Sequence, residues 1–371
     1  MPLQFLRMNF QKILFVVGVI LFIGCISSCE DDKKPSKSLK SSASKLNFKS
    51  PRSGAQFSWG DTIQFDISIK DGELKTPEKV SLFINGSLIN EELGGEMKFA
   101  FPSSEGSGGS VKIKGVVKFT DGTTSRRRIG IKIRSKTPPS KMKYQLLNTF
   151  PHDTKSYTQG LLYDSQEELL FEGTGNYTES RLLKIKVGET QSVKEISMGD
   201  EYFGEGITLR NDTIFQLTYK RKKGFYYDRE FKKLGEFTYP GEGWGLTHNN
   251  EHLIMSDGSA NLFFIDPQTF KIERTIQVFS DKGPLHNINE LEYVNGIIYA
   301  NIYTTEYIAK IDARSGQLLA LINMEGLLDD IEIIEDIDVL NGIAFNSHFQ
   351  SFYITGKYWP NLFEVRFVDD M

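Results

Sequence analysis

Five times along its C-terminal part the chain returns to one pattern, in which a polar or aromatic residue and then glycine, or an equivalent, opens an apolar strand. The openings are "TQGLLY" at Gln159, "GEGITL" at Glu205, "GWGLTH" at Trp244, "NELEYV" at Asn289 and "NGIAFN" at Asn341, spaced by 46, 39, 45 and 52 residues. Each interval has room for four short strands, and self-similarity at such a period marks an array of repeated units. After each opening come an apolar strand, a turn, a second strand and a segment such as "LLKIKV", "FFIDPQTFKIERTI" or "IAKIDARSGQLLALI". Five units of this length predict a five-bladed β-propeller over residues 142–371, with the strand "KYQLLNTF" pairing with the last blade to close the ring. In such a ring the first strand of each blade lines the central channel. Gln159, Glu205, Trp244, Asn289 and Asn341 are therefore expected to converge on one mouth.

Upstream, "AQFSWGDTIQFDISIKDG", "KVSLFINGSLI", "EMKFAF", "GSVKIKGVVKFTDG" and "SRRRIGIKIRS" read as short alternating strands separated by Gly, Asn-Gly and Asp-Gly turns. Roughly seven such strands suit an immunoglobulin-like β-sandwich over residues 45–136. No His, Asp or Glu cluster appears there, so a spacer or adhesion role is expected. "SKTPPSK", residues 135–141, reads as a proline-containing linker. The fold class is all-β. Aromatics make up 12% of the chain, with 27 Phe and 15 Tyr mostly in alternating runs beside β-branched residues, as sheets require.

Residues 1–28 read as a lipoprotein signal peptide. Arg7 and Lys12 precede "ILFVVGVILFIG", an apolar core too short to remain as a membrane-spanning helix. "ISSC" resembles a bacterial lipobox with Cys29 as the lipidated residue, and the following "EDD" resembles the export tag of surface lipoproteins. An ordinary secretory signal with incidental cysteines is the alternative. Residues 29–44 are Ser/Lys-rich and read as a flexible tether. The expected location is the bacterial cell envelope, lipid-anchored at the outer membrane and surface-exposed, with the anchor as the membrane contact. Cys25 and Cys29 are the two cysteines of the chain, so the mature fold has no cysteine framework. With 44 basic and 48 acidic residues the net charge is −4, without the basic excess of a nucleic-acid binder.

Over about residues 143 to 369 the chain resembles the glutaminyl-peptide cyclotransferases of plant and bacterial type. The resemblance rests on "YTQGL", "FGEGIT", "FQLTYK", "GEGWGLTHN", "SDGS", "INELEY", "YANIY", "IAKID", "LNGIAF" and "ITGKYWPNLFEV", in family order and at family spacings. It implies a five-bladed propeller, in agreement with the repeats, and cyclisation of an N-terminal glutamine to pyroglutamate with loss of ammonia. The substrate partner it implies is a peptide or protein with an N-terminal glutamine. The family's catalytic carboxylate matches Glu205. Its substrate-surrounding residues match Gln159, Phe203, Tyr219, Trp244, Asn289 and Tyr303, and Lys357 matches a lysine near the site. Tyr219 and Tyr303 stand where the family usually has tryptophan; tyrosine keeps a flat aromatic wall but changes the pocket's size and polarity.

The chemistry needs the free α-amine to attack the γ-carboxamide carbon of its own residue, so an enzyme must fold the side chain back, move a proton and stabilise an oxyanion. A carboxylate among aromatics is desolvated and its pKa rises, which suits Glu205 to act as general base and then general acid. Gln159 and Asn289 carry amides fit to orient the substrate, and Trp244 gives its side chain a wall. Taken singly, these residues have plainer readings: Glu205 as a solvated turn, Trp244 as packing between blades, Asn289 as a turn cap and Lys357 as a surface charge. His248 and His252 lie four apart in a turn and strand rather than a helix, without zinc-helix geometry. No cofactor is required, and no metal ligand set is expected. A structural cation is compatible with the acidic run "DIEIIEDIDVL" or with the channel, although a solvated acidic strand explains that run better. A non-catalytic propeller binding a peptide or glycan at its mouth is the alternative function.

Overall fold

Alternation of apolar side chains decides where each strand lies. Gly109–Phe119, GSVKIKGVVKF, buries every second residue, as a sheet with one face in a core must. Ser351–Gly356, SFYITG, is buried at all six positions, as in a strand covered on both faces. Both kinds occur in the computed structural model, which describes residues 45–70, 73–331 and 337–370. The expected signal peptide, the tether, Cys29 and the middle of "DIEIIEDIDVL" lie outside the described residues.

The N-terminal strands form two sheets over one core. Leu46–Ser50, Thr62–Ile69 and Glu96–Pro102 make a three-stranded sheet, while Gln56–Ser58, Thr124–Arg134, Gly109–Phe119, Pro77–Ile84 and Ser87–Leu93 make a five-stranded one. Phe48, Ile63, Phe65, Leu82, Ile113 and Val117 fill the space between them.

The C-terminal strands form three four-stranded antiparallel sheets and one of eight. The first runs from Thr158–Asp164 through Leu169–Thr174 and Arg181–Lys186 to Ser192–Ser197. The second and third begin at Gly204–Arg210 and Leu246–His248. The eight-stranded sheet joins the set beginning at Ile288–Val294 to the set beginning at Leu340–Asn346. Apolar clusters fill the spaces between successive sets. Phe171, Leu182, Ile214 and Phe225 lie between the first and second, and Leu161, Leu170, Ala344 and Tyr353 join the last set back to the first. The five first strands touch in a closed order, each meeting the next and the last meeting the first.

The seam lies in Ser140–Pro151, which contains "KYQLLNTF". As expected, it pairs antiparallel with the last strand, Asn361–Asp369. It also pairs parallel with Leu318–Asn323 through Ser140–Lys143, which the sequence pattern does not announce. The strand accordingly starts at Ser140, inside the stretch expected as linker, because that edge offers partners to its backbone groups.

Glycine in the repeated opening has a steric cause. A Cβ on Gly206 would lie 2.4 Å from Leu246 N, and one on Gly245 would lie 2.1 Å from Asn289 O, so the first strands meet backbone to backbone. In the fourth repeat Glu290 stands at this place, and its carboxylate accepts hydrogen bonds from Leu161 N at 3.3 Å and Ile343 N at 3.0 Å. Those inner-edge N–H groups thereby gain an acceptor.

The two histidines considered for a metal part company. His248 Nδ1 is 2.9 Å from Thr208 Oγ1, and His252 Nε2 is 3.0 Å from Glu273 Oε2. Among the described residues no group of three or more His, Cys, Asp or Glu is placed to hold a metal ion.

Candidate active site

Four of the five repeat openings coincide with a break in the strand ladder. The pairing register shifts between Thr158 and Gly160, Gly204 and Ile207, Ile288 and Leu291, and Leu340 and Ile343. A bulge of this kind re-aims one side chain out of the normal alternation, and Gln159, Glu205, Asn289 and Asn341 each lie inside one of the shifts. A second rule fixes the other wall. The residue that follows the second strand donates its N–H to the residue two before the opening one: Tyr219 to Phe203 at 3.0 Å, Tyr303 to Asn287 at 2.8 Å and Lys357 to Val339 at 3.0 Å.

The eight residues that the family resemblance places at the site line one cavity of about 380 Å³, whereas Asn341, expected at the same mouth from the repeat, does not. Gln159, Glu205, Asn289 and Lys357 are buried in its floor, and Phe203, Tyr219, Trp244 and Tyr303 form half-buried walls. Tyr157, which sequence reasoning did not select, completes the lining. The aromatics brace one another edge to face: Tyr157 and Phe203 at 6.0 Å between centroids, Trp244 and Tyr303 at 5.5 Å. Lys357 Nζ lies over the rings of Tyr157 at 4.4 Å and Tyr303 at 5.2 Å, where a cation is attracted to the ring faces.

Glu205 is 3% exposed, and its Oε2 has no hydrogen-bond partner. Burial pushes its carboxyl well above the ordinary carboxylate range; Lys357 pulls against that rise, Glu242 adds to it, and a hydrogen bond with the Gln159 side chain opposes it. Burial also holds the Lys357 ammonium below its usual value, against the pull of Glu205 and Asp338. Each group is thus closer to neutrality than in water.

Asn341, the fifth repeat position, sits behind the lining. Its Nδ2 donates to Thr158 O at 2.9 Å and Gln159 Oε1 at 3.2 Å, and its Oδ1 accepts from Asn289 Nδ2 at 3.0 Å. This turns the Gln159 NH2 and the Asn289 carbonyl toward other partners. Two further acids missed by sequence reasoning act on the walls. Glu242 accepts from Trp244 Nε1 at 3.2 Å. Asp338, together with burial, raises the Tyr157 phenol, and burial is the larger cause. The signal that could have found Tyr157 and Glu242 is their register, two residues before Gln159 and Trp244, the relation Phe203 bears to Glu205.

Beneath the floor lies a buried carboxyl–imidazole pair. Glu172 accepts from Thr158 Oγ1 at 2.6 Å and faces His152 Nε2 at 3.3 Å, while His152 Nδ1 is 2.9 Å from Trp359 O. It ties the strand of Gln159 to the turn after Lys357.

A family model described as glutamine cyclotransferase matches residues 120–367. A protein of Arabidopsis thaliana named glutaminyl-peptide cyclotransferase is 37% identical over 230 residues, covering 60% of this chain and 70% of that protein. The crystal structure of Myxococcus xanthus glutaminyl cyclase is 32% identical and superposes with a TM-score of 0.59, covering 63% of this chain and 100% of that one. The chain belongs to the glutamine cyclotransferase family.

Proposed function

We propose that the protein is a glutaminyl-peptide cyclotransferase, an acyltransferase that converts the N-terminal glutamine of peptides or proteins to pyroglutamate and releases ammonia. Family membership supports the reaction, and one observation carries the assignment of its key group: Glu205 is buried at the floor of an aromatic-walled cavity with an unpartnered carboxylate oxygen.

In the proposed reaction the peptide's α-amine, a group with a solution pKa of roughly 7.7–8.0, enters beside Glu205. The nitrogen attacks the γ-carboxamide carbon, forming the ring C–N bond as Glu205 takes the amine proton. Glu205 then returns that proton to the carboxamide nitrogen, whose C–N bond breaks to release ammonia. A carboxyl with a raised pKa can do both. Gln159 and Asn289 orient the amine and carboxamide. Lys357 faces the oxyanion of the tetrahedral intermediate, and Phe203, Tyr219, Trp244 and Tyr303 hold the folded side chain. The chemistry so drawn needs no cofactor.

The same reading takes residues 142–371 as a five-bladed β-propeller, supported by the repeat spacing and the closed order of first strands. It takes residues 45–136 as an immunoglobulin-like sandwich, supported by the two sheets around one core. Residues 1–28 as signal peptide, 29–44 as tether and Cys29 as lipid acceptor would place the enzyme on the bacterial outer membrane.

Ammonia release from a Gln-initiated peptide, set beside the same peptide N-acetylated, tests the function. Release from the free amine alone is expected. No release from either peptide by folded protein would favour a non-catalytic binding role.

A further inference from the structure

Charge is unevenly divided along this chain. Residues 45–136 hold 16 Lys and Arg against 10 Asp and Glu, whereas residues 137–371 hold 22 against 35. Such asymmetry between parts of a chain points to a charged partner for one of them.

The basic excess is gathered on one surface. In the five-stranded sheet, Lys114 lies opposite Arg128, Val116 opposite Arg126 and Ser110 opposite Lys132. Val111, Ile113 and Val117 of the same strand are in the core, and side chains two apart share a face. Lys112, Lys114, Arg126, Arg128 and Lys132 therefore stand together on the outer face, where Lys112, Lys114 and Arg128 line an open groove bounded on its other side by Ile272–Gln277. Four other lysines in or beside these sheets are paired: Lys45 with Glu73, Lys75 with Asp121, Lys79 with Glu91 and Lys118 with Glu78. Among the described residues the five on the outer face pair with no carboxylate, and the Lys114 ammonium instead lies 3.8 Å over the Phe83 ring. Like charges on adjacent strands repel, so a face that only met water would gain nothing by collecting them.

The neighbouring strands add apolar contact. Phe83 lies opposite both Lys114 and Leu88, and Leu93 lies opposite Lys79, with Leu88 55% and Leu93 85% exposed. Cations flanked by exposed leucines fit the interface of a bilayer carrying anionic headgroups. We propose that the outer face of the five-stranded sheet docks on an anionic lipid surface. The expected acyl acceptor, Cys29, precedes Lys45 by 16 residues, so even a fully extended tether reaches no more than about 55 Å. The four lysines between them, Lys33, Lys34, Lys37 and Lys40, outnumber Glu30, Asp31 and Asp32 by one, so the tether itself adds little and the docking rests on the sheet. The docking does not depend on the chemistry at Glu205, so failure of either leaves the other standing.

The test uses the chain from Glu30 onward, which keeps every described residue and lacks the acyl acceptor. Co-sedimentation is measured with vesicles of phosphatidylcholine alone and of phosphatidylcholine with phosphatidylglycerol. Binding is expected only with phosphatidylglycerol and should weaken as salt rises. One basic residue near such a surface strengthens binding by about fivefold, so replacing Lys112, Lys114, Arg126, Arg128 and Lys132 with Gln should weaken it by about three orders of magnitude. Replacing Lys155, Lys186, Lys232, Lys271 and Lys282 with Gln makes the same charge change outside these two sheets and should leave most binding intact. Unchanged circular dichroism and urea unfolding of both variants verify folding. The proposal is overturned if the starting protein ignores phosphatidylglycerol, if the two variants lose binding equally, or if the protein binds soluble polygalacturonate and not vesicles; that last outcome would assign the face to an acidic polysaccharide.

Discussion

Replacing Gly206 with alanine asks whether the first strands meet as closely as the site requires. The added Cβ would lie 2.4 Å from Leu246 N and 2.7 Å from both Gly245 C and Trp244 O. Ordinary van der Waals contact begins near 3.4 Å, and each of these atoms is backbone, so no side chain can swing aside. The strand behind Trp244 must retreat by about 1 Å, and such overpacking costs roughly 1–3 kcal/mol. The hydrogen bond from Gly206 N to Trp244 O, now 2.7 Å, stretches with it, adding about 1 kcal/mol. Glu205 and Trp244 flank the clash, and a misplacement of about 1 Å costs roughly a hundredfold in rate. Urea unfolding and kcat/KM on a Gln-initiated peptide read the two effects. Gly130→Ala is the control, since nothing lies within 4 Å of its Cβ. A Gly206→Ala protein within about 0.5 kcal/mol of the original, the range of a neutral surface change, and with unaltered kcat/KM would refute the close approach.

Three further outcomes follow from buried charges. Glu205 has a folded pKa above its ordinary 4.5, so its ionisation costs stability as pH rises from about 4.5 through the folded value. Glu205→Gln should therefore be more stable than the original at neutral pH, with the gap closing on acidification; urea unfolding across pH would show a constant gap if the burial argument were wrong. Glu172→Gln leaves the His152 charge buried without its partner and should cost about 3–5 kcal/mol, so a loss under about 1 kcal/mol would contradict the charged pairing. Glu290→Ala strands two N–H donors at about 1–3 kcal/mol each, whereas Glu290→Gln keeps an acceptor and should cost less than half as much; equal losses in thermal unfolding would deny Glu290 its role at the inner edges.

The site was legible because its residues recur at fixed places in a repeat. Gln159, Glu205, Asn289 and Asn341 occupy bulges that the repeated openings mark. Phe203, Tyr219, Tyr303 and Lys357, by contrast, were legible only through the family resemblance, and the constant register of Tyr219, Tyr303 and Lys357 after the second strand emerges in the structure. Tyr157, Glu242 and Asp338 were not legible, since an isolated tyrosine or carboxylate in a turn looks the same whether it faces a cavity or water. The repeat period likewise foresaw the pairing of Ser140–Pro151 with the last strand. Its second pairing, to Leu318–Asn323, depends on which sheet edge remains open after folding, and no local pattern encodes that. The basic face escaped notice because a whole-chain charge of −4 averages two parts of opposite sign.

The most direct measurement sets peptide binding beside ammonia release for the full chain and for Glu205→Gln. Both proteins should bind a Gln-initiated peptide with similar affinity in titration calorimetry, while the variant's rate falls by about 10²–10⁴, the usual contribution of a positioned acid–base group. Equal ammonia release by the two proteins would remove Glu205 from the chemistry, and binding without release by the original protein would make the cavity a receptor rather than an active site.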